Sequence, residues 1–458
     1  MSEERKGDGW WVVTFVVGVL GLIMGVVGIA MASGRSDGIA ASADAPAATG
    51  AVDFDVTLAD ISVTPSSIDV PAGKVVTLHV TNTGTLAHDF KVMGMNGLGA
   101  MKTGEKVDLE IGPFTADTEV WCTVAGHKEA GMKMAVHVLG GTGAVDAASA
   151  ATAAADVSAK IDGTAMPPEG WTGRDPQLGP ALPGTMHEIA FDAVETTMEV
   201  APGVTQQMWS FNGQVPGPIL HGKVGDTFRI TLTNKGSMGH SIDFHASKVA
   251  WSDEMRTIQP GESLVYEFQA DYAGAFMYHC GTVPALHHIG NGMYGAIIID
   301  PPVLAPVTQE FVVVQSELYL GAQGAPGNLT KMMNEQFDAV VFNGYFAQYK
   351  FAPIHVVAGQ RYRLWVVDDG PNENSAFHIV GTIFDTVFKE GAYLLQPDAS
   401  HGGSQVLDLQ PAQGGFVEFT FAEDGLYPFV THKFANPGKG ALGFFAVGNV
   451  DTSKLTGH

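Results

Sequence analysis

The sequence is poor in basic residues and in cysteine. Only 24 of its 458 residues are lysine or arginine, against 48 acidic residues, and the formal net charge is −24. Such a chain is a poor candidate for binding nucleic acid, because that requires basic patches that neutralise phosphates. The two cysteines, Cys122 and Cys280, allow at most one disulfide, which excludes a fold held together by several.

Charged residues of any kind are also few, at 16%, whereas hydrophobic residues make up 45%. This balance is typical of a globular chain with many buried strands and not of a disordered one. The 57 glycines fit an all-β fold with many turns. The length suggests about three domains of ~100–200 residues each.

One long apolar run stands near the amino terminus, at residues 10–32, with Thr14 as its only hydrophilic member. It exceeds the core of a signal peptide and reaches the ~20 residues that span a bilayer. Arg5 and Lys6 precede it, so we predict a cytoplasmic segment 1–9 and a transmembrane signal-anchor. The body of the protein would then lie on the extracytoplasmic side of the cell membrane; a long cleaved signal peptide is the alternative.

Two stretches of low complexity, residues 33–51 and 140–163, predict a linker at 33–52 and a linker and arm at 140–182. Between and beyond them, a pattern of glycine turn, alternating strand, polar turn and histidine occurs three times. Its copies cover residues 70–90, 222–244 and 356–379. A repeat of short alternating strands predicts tandem β-sandwiches. We therefore expect three domains, with boundaries at 53–139, 183–302 and 303–450.

Four residues of metal-binding type stand together in the first repeat. Cys122, His127 and Met132 follow one another at C-x4-H-x4-M spacing, and His88 lies upstream on another predicted strand. Two imidazoles, one thiolate and a weak thioether are the ligand set of a blue-copper electron-transfer site. Structural zinc sites favour more thiolates and rarely use methionine. The pattern therefore predicts a blue-copper site.

In the second repeat, neighbouring ligands must point in opposite directions. Side chains alternate between the two faces of a strand, so His279 and Cys280 oppose each other. His240 and His245 are an odd number of positions apart and also oppose each other, whereas Asp243 shares a face with His245. The residues therefore divide into one group around Cys280 and His240 and another around His245 and His279.

The group around Cys280 needs a second histidine and an axial ligand. His287 and His288 are both available, and we choose His288 because His288 to Met293 repeats the step from His127 to Met132. This predicts a second blue-copper site.

The other group has two imidazoles and needs at least a third ligand. The third repeat has no cysteine, but it retains two candidate histidines, His378 and His432. Three imidazoles with an open position suit a catalytic metal that binds a small anion. Because His279 and Cys280 are adjacent, a single peptide unit would link a one-electron copper to a substrate-binding metal.

Residues 185–450 resemble the copper-containing nitrite reductases, and residues 53–139 resemble the fused cupredoxin domain of three-domain members of that family. The motifs that carry the resemblance are His240-x-x-Asp243-x-His245, His279-Cys280, the step to Met293, FNGQVPGP at 211–218, His378-Ile-Val-Gly and Val-Thr-His432. The implied fold is all-β, with three tandem cupredoxin (Greek-key β-sandwich) domains after one transmembrane helix.

The resemblance also implies an activity and its site residues. The chain would reduce nitrite to nitric oxide and water with two type 1 coppers and one type 2 copper, fed by a cytochrome c or a cupredoxin-like donor. Asp243 and His378 would deliver protons, Val380 would line the substrate pocket, and a homotrimer would place the type 2 site between subunits. The implied ligands are His88, Cys122, His127 and Met132; His240, Cys280, His288 and Met293; and His245, His279 and His432.

Two other functions compete with this one. A laccase-like multicopper oxidase would need paired His-x-His motifs, and no His-x-His occurs in the chain. A non-catalytic copper electron-transfer protein would explain the first repeat but not Asp243, His378 and the open three-histidine set.

Overall fold

The structure, a computed structural model, describes residues 52–71, 73–92, 97–114, 117–124, 127–128, 131–139, 158–397 and 401–457. Strands dominate these ranges, and the helices are few and short. The predicted all-β class is therefore confirmed. The strands form six sheets, which follow one another along the chain in three pairs.

The first pair of sheets has the orders β2-β1-β4-β7 and β3-β9-β8-β5-β6. Its strands are β1 (Val52–Ala59), β2 (Ser62–Thr64), β3 (Ser67–Pro71), β4 (Val76–Asn82), β5 (His88–Val92), β6 (Gly97–Met101), β7 (Lys106–Ile111), β8 (Thr118–Trp121) and β9 (Lys133–Leu139).

The second pair has the orders β11-β10-β13-β15 and β12-β17-β16-β14. Its strands are β10 (Met186–Ala201), β11 (Val204–Phe211), β12 (Leu220–Lys223), β13 (Thr227–Asn234), β14 (Asp243–Phe244), β15 (Ser263–Gln269), β16 (Gly274–His279) and β17 (Tyr294–Asp300). Two short helices interrupt them, α1 (Trp251–Glu254) and α2 (Ala285–Gly290).

The third pair has the orders β19-β18-β21-β26-β23-β24 and β20-β28-β27-β22-β25. Its strands are β18 (Gln309–Leu318), β19 (Ala339–Phe342), β20 (Ile354–Val356), β21 (Arg361–Asp368), β22 (Ser375–Ile379), β23 (Thr386–Lys389), β24 (Ala392–Leu395), β25 (Leu407–Leu409), β26 (Gly414–Thr420), β27 (Gly425–Thr431) and β28 (Leu442–Val447). Its helices are α3 (Leu329–Met333) and α4 (Gln348–Phe351).

Alternation along the strands builds the cores. In β4, Val76, Leu78 and Val80 are fully buried, while the residues between them are not. Strand β21 is buried along almost its whole length because its two faces serve two cores. Leu364 faces the core of the third pair, and Trp365 faces a core shared with the second pair. Each such side chain contributes about 1.5–3 kcal/mol by leaving water.

The first pair of sheets contacts later parts of the chain near the loop of its C-x4-H-x4-M motif. Ile61 packs against a small cluster formed by Tyr319, Leu329 and Met332. Gly131 lies beside Ile61 and lines a cavity of about 270 Å³ together with His287. The loop of the first C-x4-H-x4-M motif therefore lies against helices α2 and α3.

The predicted membrane anchor at residues 10–32 lies outside the described residues. In the part of the chain that the structure does describe, no helix is long and apolar enough to cross a membrane. The prediction of a single-pass membrane anchor is therefore wrong on this structural finding.

Candidate metal centres

The first candidate centre is a buried group of His88, Cys122 and His127. His88 begins β5, and Cys122 directly follows β8. The Nδ1 atoms of the two histidines are 3.1 Å apart, and Cys122 Sγ is 3.5 Å from His127 Nδ1. Three lone-pair donors thus converge on one point that solvent does not reach.

Backbone hydrogen bonds fold the loop that presents these ligands. The amide of Cys122 donates to the carbonyl of Met132 at 2.9 Å, and the amide of Met132 donates to the carbonyl of His127 at 2.9 Å. Met132 is fully buried beside the group. Burial raises the pKa of the Cys122 thiol to about 11, and the nearby Asp89 carboxylate adds to the rise.

The second centre repeats this construction with His240, Cys280 and His288. His240 Nδ1 and His288 Nδ1 are 3.3 Å apart, and Cys280 Sγ is 3.3 Å from His288 Nδ1. Met293 is fully buried, and its carbonyl accepts from the Cys280 amide at 3.1 Å. The set has the same donors and the same burial as the first.

His287 lies outside this group. Its Nε2–H donates to the carbonyl of Gly327 at 3.0 Å, and its ring packs 4.6 Å from that of Trp209. Trp209 in turn lies 4.8 Å from the ring of His288. Burial lowers the pKa of His287 to about 4, so the ring is neutral.

Polar neighbours surround the second group closely. The backbone amide of Ser241 donates to Cys280 Sγ at 3.3 Å, and the Ser241 hydroxyl lies 3.8 Å from the same sulfur. Burial alone would raise the pKa of the Cys280 thiol, but the imidazoles of His288 and His240 hold it well below its ordinary value. A thiolate is the form that binds metal.

Glu195 is a residue that the sequence reasoning missed. Its side chain is 8% exposed, and its Oε1 accepts a hydrogen bond from His240 Nε2–H at 3.0 Å. Burial lowers the pKa of His240, but Cys280 and Glu195 together raise it to about 9. Glu195 fixes the ring so that Nδ1 faces the sulfur, as carboxylates behind metal-bound histidines do.

The third centre is a more open group of Asp243, His245 and His279. The Nε2 atoms of the two histidines are 3.0 Å apart, and Asp243 Oδ2 is 3.9 Å from His279 Nε2. His279 Nδ1–H donates to the carbonyl of Cys280 at 2.9 Å, which leaves Nε2 as the free lone pair. Desolvation and the adjacent His279 ring lower the pKa of His245.

The remaining predicted site residues form a separate pair. The rings of His378 and His432 are 5.5 Å apart, and His378 Nδ1–H donates to the carbonyl of Gln405 at 2.6 Å. Neither histidine joins a three-residue metal group in the described ranges of a single chain. Val380, two positions after His378, is 44% exposed.

The donor chemistry fits copper. Two buried sets pair one thiolate with two imidazoles and a thioether, which are soft and intermediate ligands that favour copper. The third set has imidazole nitrogens and an open, solvent-facing side, which suits a metal that binds a small molecule. The strand-parity argument holds in space, because Cys280 is fully buried while the side chain of His279 is partly exposed.

Two hydroxyl side chains lie behind Asp243 of the third group, and sequence reasoning missed them as well. Tyr266 Oη lies 3.4 Å from Asp243 Oδ1, and Ser247 Oγ lies 2.6 Å from Tyr266 Oη. Tyr266 comes from β15, and no spacing in the sequence connects it to Asp243. Its proximity follows from the way in which β15 packs against β14.

Comparison with known proteins gives consistent results. Family sequence models described as multicopper oxidase and as cupredoxin-like domain match residues 192–303 and 23–118. A copper-containing nitrite reductase of Neisseria gonorrhoeae is 34% identical over 279 residues, which cover 58% of this chain and 70% of that protein.

Two solved structures are similar as well. A copper nitrite reductase from Nitrosomonas europaea has a TM-score of 0.53 and 32% identity, covering 58% of this chain and 96% of the other. A multicopper oxidase has a TM-score of 0.52 and 29% identity, covering 60% of this chain and 94% of the other.

Proposed function

This chain belongs to the family of copper-containing nitrite reductases, and on that premise we propose that it reduces nitrite to nitric oxide and water. The observation that carries the proposal is the adjacency of two different donor groups. Cys280 belongs to a buried thiolate group and His279 to an open imidazole group, and one peptide bond joins them. This is a short covalent path for an electron between a buried centre and a substrate site.

We assign the ligands to three copper ions per chain. Two type 1 sites would use His88, Cys122, His127 and Met132, and His240, Cys280, His288 and Met293. The type 2 site would use His245, His279 and His432. Bound copper would supply one-electron transfer at the type 1 sites and Lewis-acid binding of nitrite at the type 2 site.

The side chains around the open group supply protons. The reaction takes up one electron and two protons for each nitrite. Asp243 lies beside His279 and can donate a proton to a nitrite oxygen as a general acid. His378 can deliver or relay the second proton, because histidine is a common proton shuttle. Val380 would line the pocket beside His378.

The type 2 site is proposed to be completed by a second copy of the chain. His378 and His432 lie apart from the His245–His279 group within one chain. Phe434, which is 72% exposed, packs 5.0 Å from the ring of His432. A closed homotrimer would give each His245–His279 group a neighbour's histidine pair.

We further propose three cupredoxin domains, at residues 53–139, 183–302 and 303–450, of which the first hands electrons to the second. The packing of Ile61 on Tyr319, Leu329 and Met332 supports this, because it accompanies a cavity that Gly131 of the first loop lines together with His287, the neighbour of His288 on helix α2. The external donor, a cytochrome c or a cupredoxin-like protein, would then reduce the first domain. The acidic surface favours a basic partner.

The match to multicopper oxidases favours one alternative, a laccase-like oxidase. Such an enzyme needs a three-copper cluster with many more imidazoles. In the described ranges, the candidate metal groups number three, and only one of them is built from imidazoles and a carboxylate. The nitrite reductase is therefore the function that these groups support best.

The test is a direct assay for nitric oxide. The copper-loaded protein is reduced without oxygen, nitrite is added, and an electrode follows nitric oxide. We expect prompt formation that His245→Ala and His432→Ala both abolish. Exposed His355→Ala, on β20, serves as the matched control and should change nothing. Protein with full copper occupancy that forms no nitric oxide would reject the proposal.

A further inference from the structure

Two hydroxyl groups stand in line behind the carboxylate of Asp243. Tyr266 Oη lies 3.4 Å from Asp243 Oδ1, and Ser247 Oγ lies 2.6 Å from Tyr266 Oη. The tyrosine is fully buried, whereas Asp243 and Ser247 are only half-buried. The buried phenol therefore joins two residues that border the open histidine group.

The hydrogen atoms of this line can be arranged so that each hydroxyl donates toward Asp243. Ser247 Oγ accepts a weak hydrogen bond from the amide of Val249 at 3.4 Å and can donate its own hydrogen to Tyr266 Oη. The phenol hydrogen is then directed at Asp243 Oδ1, which accepts it. Burial raises the pKa of Tyr266 to about 12, so the phenol keeps its hydrogen at neutral pH.

This contact divides the two oxygens of Asp243 between different tasks. Oδ1 accepts from the phenol, while Oδ2 faces His279 Nε2 at 3.9 Å. A half-buried aspartate can otherwise rotate about its terminal torsion, which is broad and two-fold. A hydrogen bond to one oxygen removes that freedom and leaves the other directed at the metal pocket.

We propose that Tyr266, supported by Ser247, is the positioning residue that holds Asp243 with one oxygen toward the substrate. The inference rests on the proposed nitrite reduction. It adds two residues to that reaction, neither of which touches nitrite or metal.

The main test is the variant Tyr266→Phe. It retains the ring, whose neighbours Phe244 and Phe268 lie 5.5 and 5.9 Å away, so the core remains packed. We expect kcat to fall roughly tenfold, because a misplaced catalytic group can cost up to about 100-fold. The blue absorption and the copper content should stay at wild-type values. Unchanged kcat and nitrite affinity in Tyr266→Phe would overturn the inference.

A double-mutant cycle separates positioning from a general structural role. If Tyr266 acts only through Asp243, then Tyr266→Phe should cause no further loss in an Asp243→Asn background. A second readout is the affinity for nitrite, followed by the paramagnetic resonance of the type 2 copper in oxidised protein. The affinity for nitrite should weaken in Tyr266→Phe by a factor similar to the loss of kcat. Equal losses from Tyr266→Phe in both backgrounds would contradict the inference.

Conservative variants supply the controls. Ser247→Thr keeps the hydroxyl and should retain wild-type kcat, whereas Ser247→Ala should lower it, though less than Tyr266→Phe does. Tyr345→Phe also removes a phenol that donates to a carboxylate, Glu199 Oε1 at 2.7 Å, but in another part of the chain. It should leave kcat unchanged. If wild-type protein formed no nitric oxide, the proposed function itself would fail, which is a different outcome from an inactive role for Tyr266.

Discussion

The two buried histidine–cysteine–histidine groups use the same residue types in the same order, yet their surroundings differ. Behind the first histidine of one group, Asp60 stands 3.7 Å from His88 Nε2 and is 41% exposed. In the other, Glu195 stands 3.0 Å from His240 Nε2 and is 8% exposed. The ligands decide which metal is bound, and these neighbours tune how readily it accepts an electron.

The residue after the first histidine differs as well. In the first group it is Asp89, whose carboxylate accepts from the amide and hydroxyl of Thr123 next to Cys122. In the second it is Ser241, which accepts from the Gly281 amide at 3.0 Å and can give its own hydrogen to the Cys280 sulfur. A negatively charged carboxylate therefore lies near the Cys122 sulfur, whereas a hydrogen-bond donor lies near the Cys280 sulfur.

The largest expected effect separates the two cysteines. Cys280→Ser removes the thiolate whose main chain continues into His279. Nitrite reduction should fall by more than roughly 100-fold, which is the upper cost of losing a residue that only supports a metal ligand. Cys122→Ser should leave nitric oxide formation intact when a small reductant supplies the electrons. The nitric oxide electrode measures both variants, and equal loss in the two would erase the distinction between the groups.

The two carboxylates behind the histidines should also differ in how strongly they affect the reduction potential of the nearby copper. Glu195→Gln should raise the reduction potential of the copper at Cys280 by roughly 60–130 mV, because a hydrogen bond to a charged group is worth about 1.5–3 kcal/mol. Asp60→Asn should shift the copper at Cys122 by less than about 40 mV, since exposed pairs contribute about 0–1 kcal/mol. Spectroscopic titration of each blue absorption provides the test. A larger shift from Asp60→Asn would reverse our ranking of the two neighbours.

The residue that ends an equivalent strand differs in the third pair of sheets, the repeat without cysteine. Asn82 donates to two backbone carbonyls at 2.8 and 3.0 Å, and Asn234 does so at 2.7 and 2.9 Å. Asp368 ends β21 as those asparagines end β4 and β13, and its Oδ2 is buried without a hydrogen-bond partner among the described residues. Burial raises the pKa of Asp368 well above its ordinary value.

Asp368→Asn should therefore stabilise the protein by about 1–3 kcal/mol, the cost of a buried unsatisfied group. The gain should grow with pH above about 4, because the unfolded carboxylate ionises there while the folded one stays protonated. Denaturant unfolding at pH 5 and pH 7 measures the gain in the free energy of unfolding and its increase with pH. Asn234→Asp should have the opposite effect, and a stabilising result there would contradict the equivalence of these positions.

The smallest expected effect concerns the hydroxyl near the Cys280 sulfur. Ser241→Ala should lower the potential of that copper by about 40 mV, because a neutral hydrogen bond worth about 1 kcal/mol no longer draws electron density from the thiolate. The copper at Cys122 should not shift, and it serves as the internal control. A rise in potential would show that the hydroxyl does not donate to the sulfur.

Sequence patterns predicted the features that depend only on residues close together in the chain. The C-x4-H-x4-M spacing grouped Cys122, His127 and Met132 in one site, and backbone hydrogen bonds between these three residues bring them together. Strand parity separated Cys280 from His279. In both cases the prediction required only the period of a strand or the reach of a loop.

Features set by distant packing could not be foreseen. Glu195 reaches His240 from β10, and Tyr266 reaches Asp243 from β15, and no spacing marks either contact. The separation of His432 from His279 within one chain was expected only from the family resemblance, because no spacing in the sequence indicates it. The predicted membrane location relied on the hydropathy of one apolar run, which is not sufficient evidence for a membrane-spanning helix.

One rapid-mixing measurement tests the central claim that electrons reach nitrite through the Cys280–His279 link. Fully reduced, copper-loaded Cys122→Ser protein is mixed with nitrite without oxygen, and the blue absorption of the Cys280 copper is recorded together with nitric oxide. We predict that the blue colour returns as nitric oxide forms, and that His279→Ala loses both while retaining the Cys280 copper. Nitric oxide formed without any change at the Cys280 copper would contradict the account.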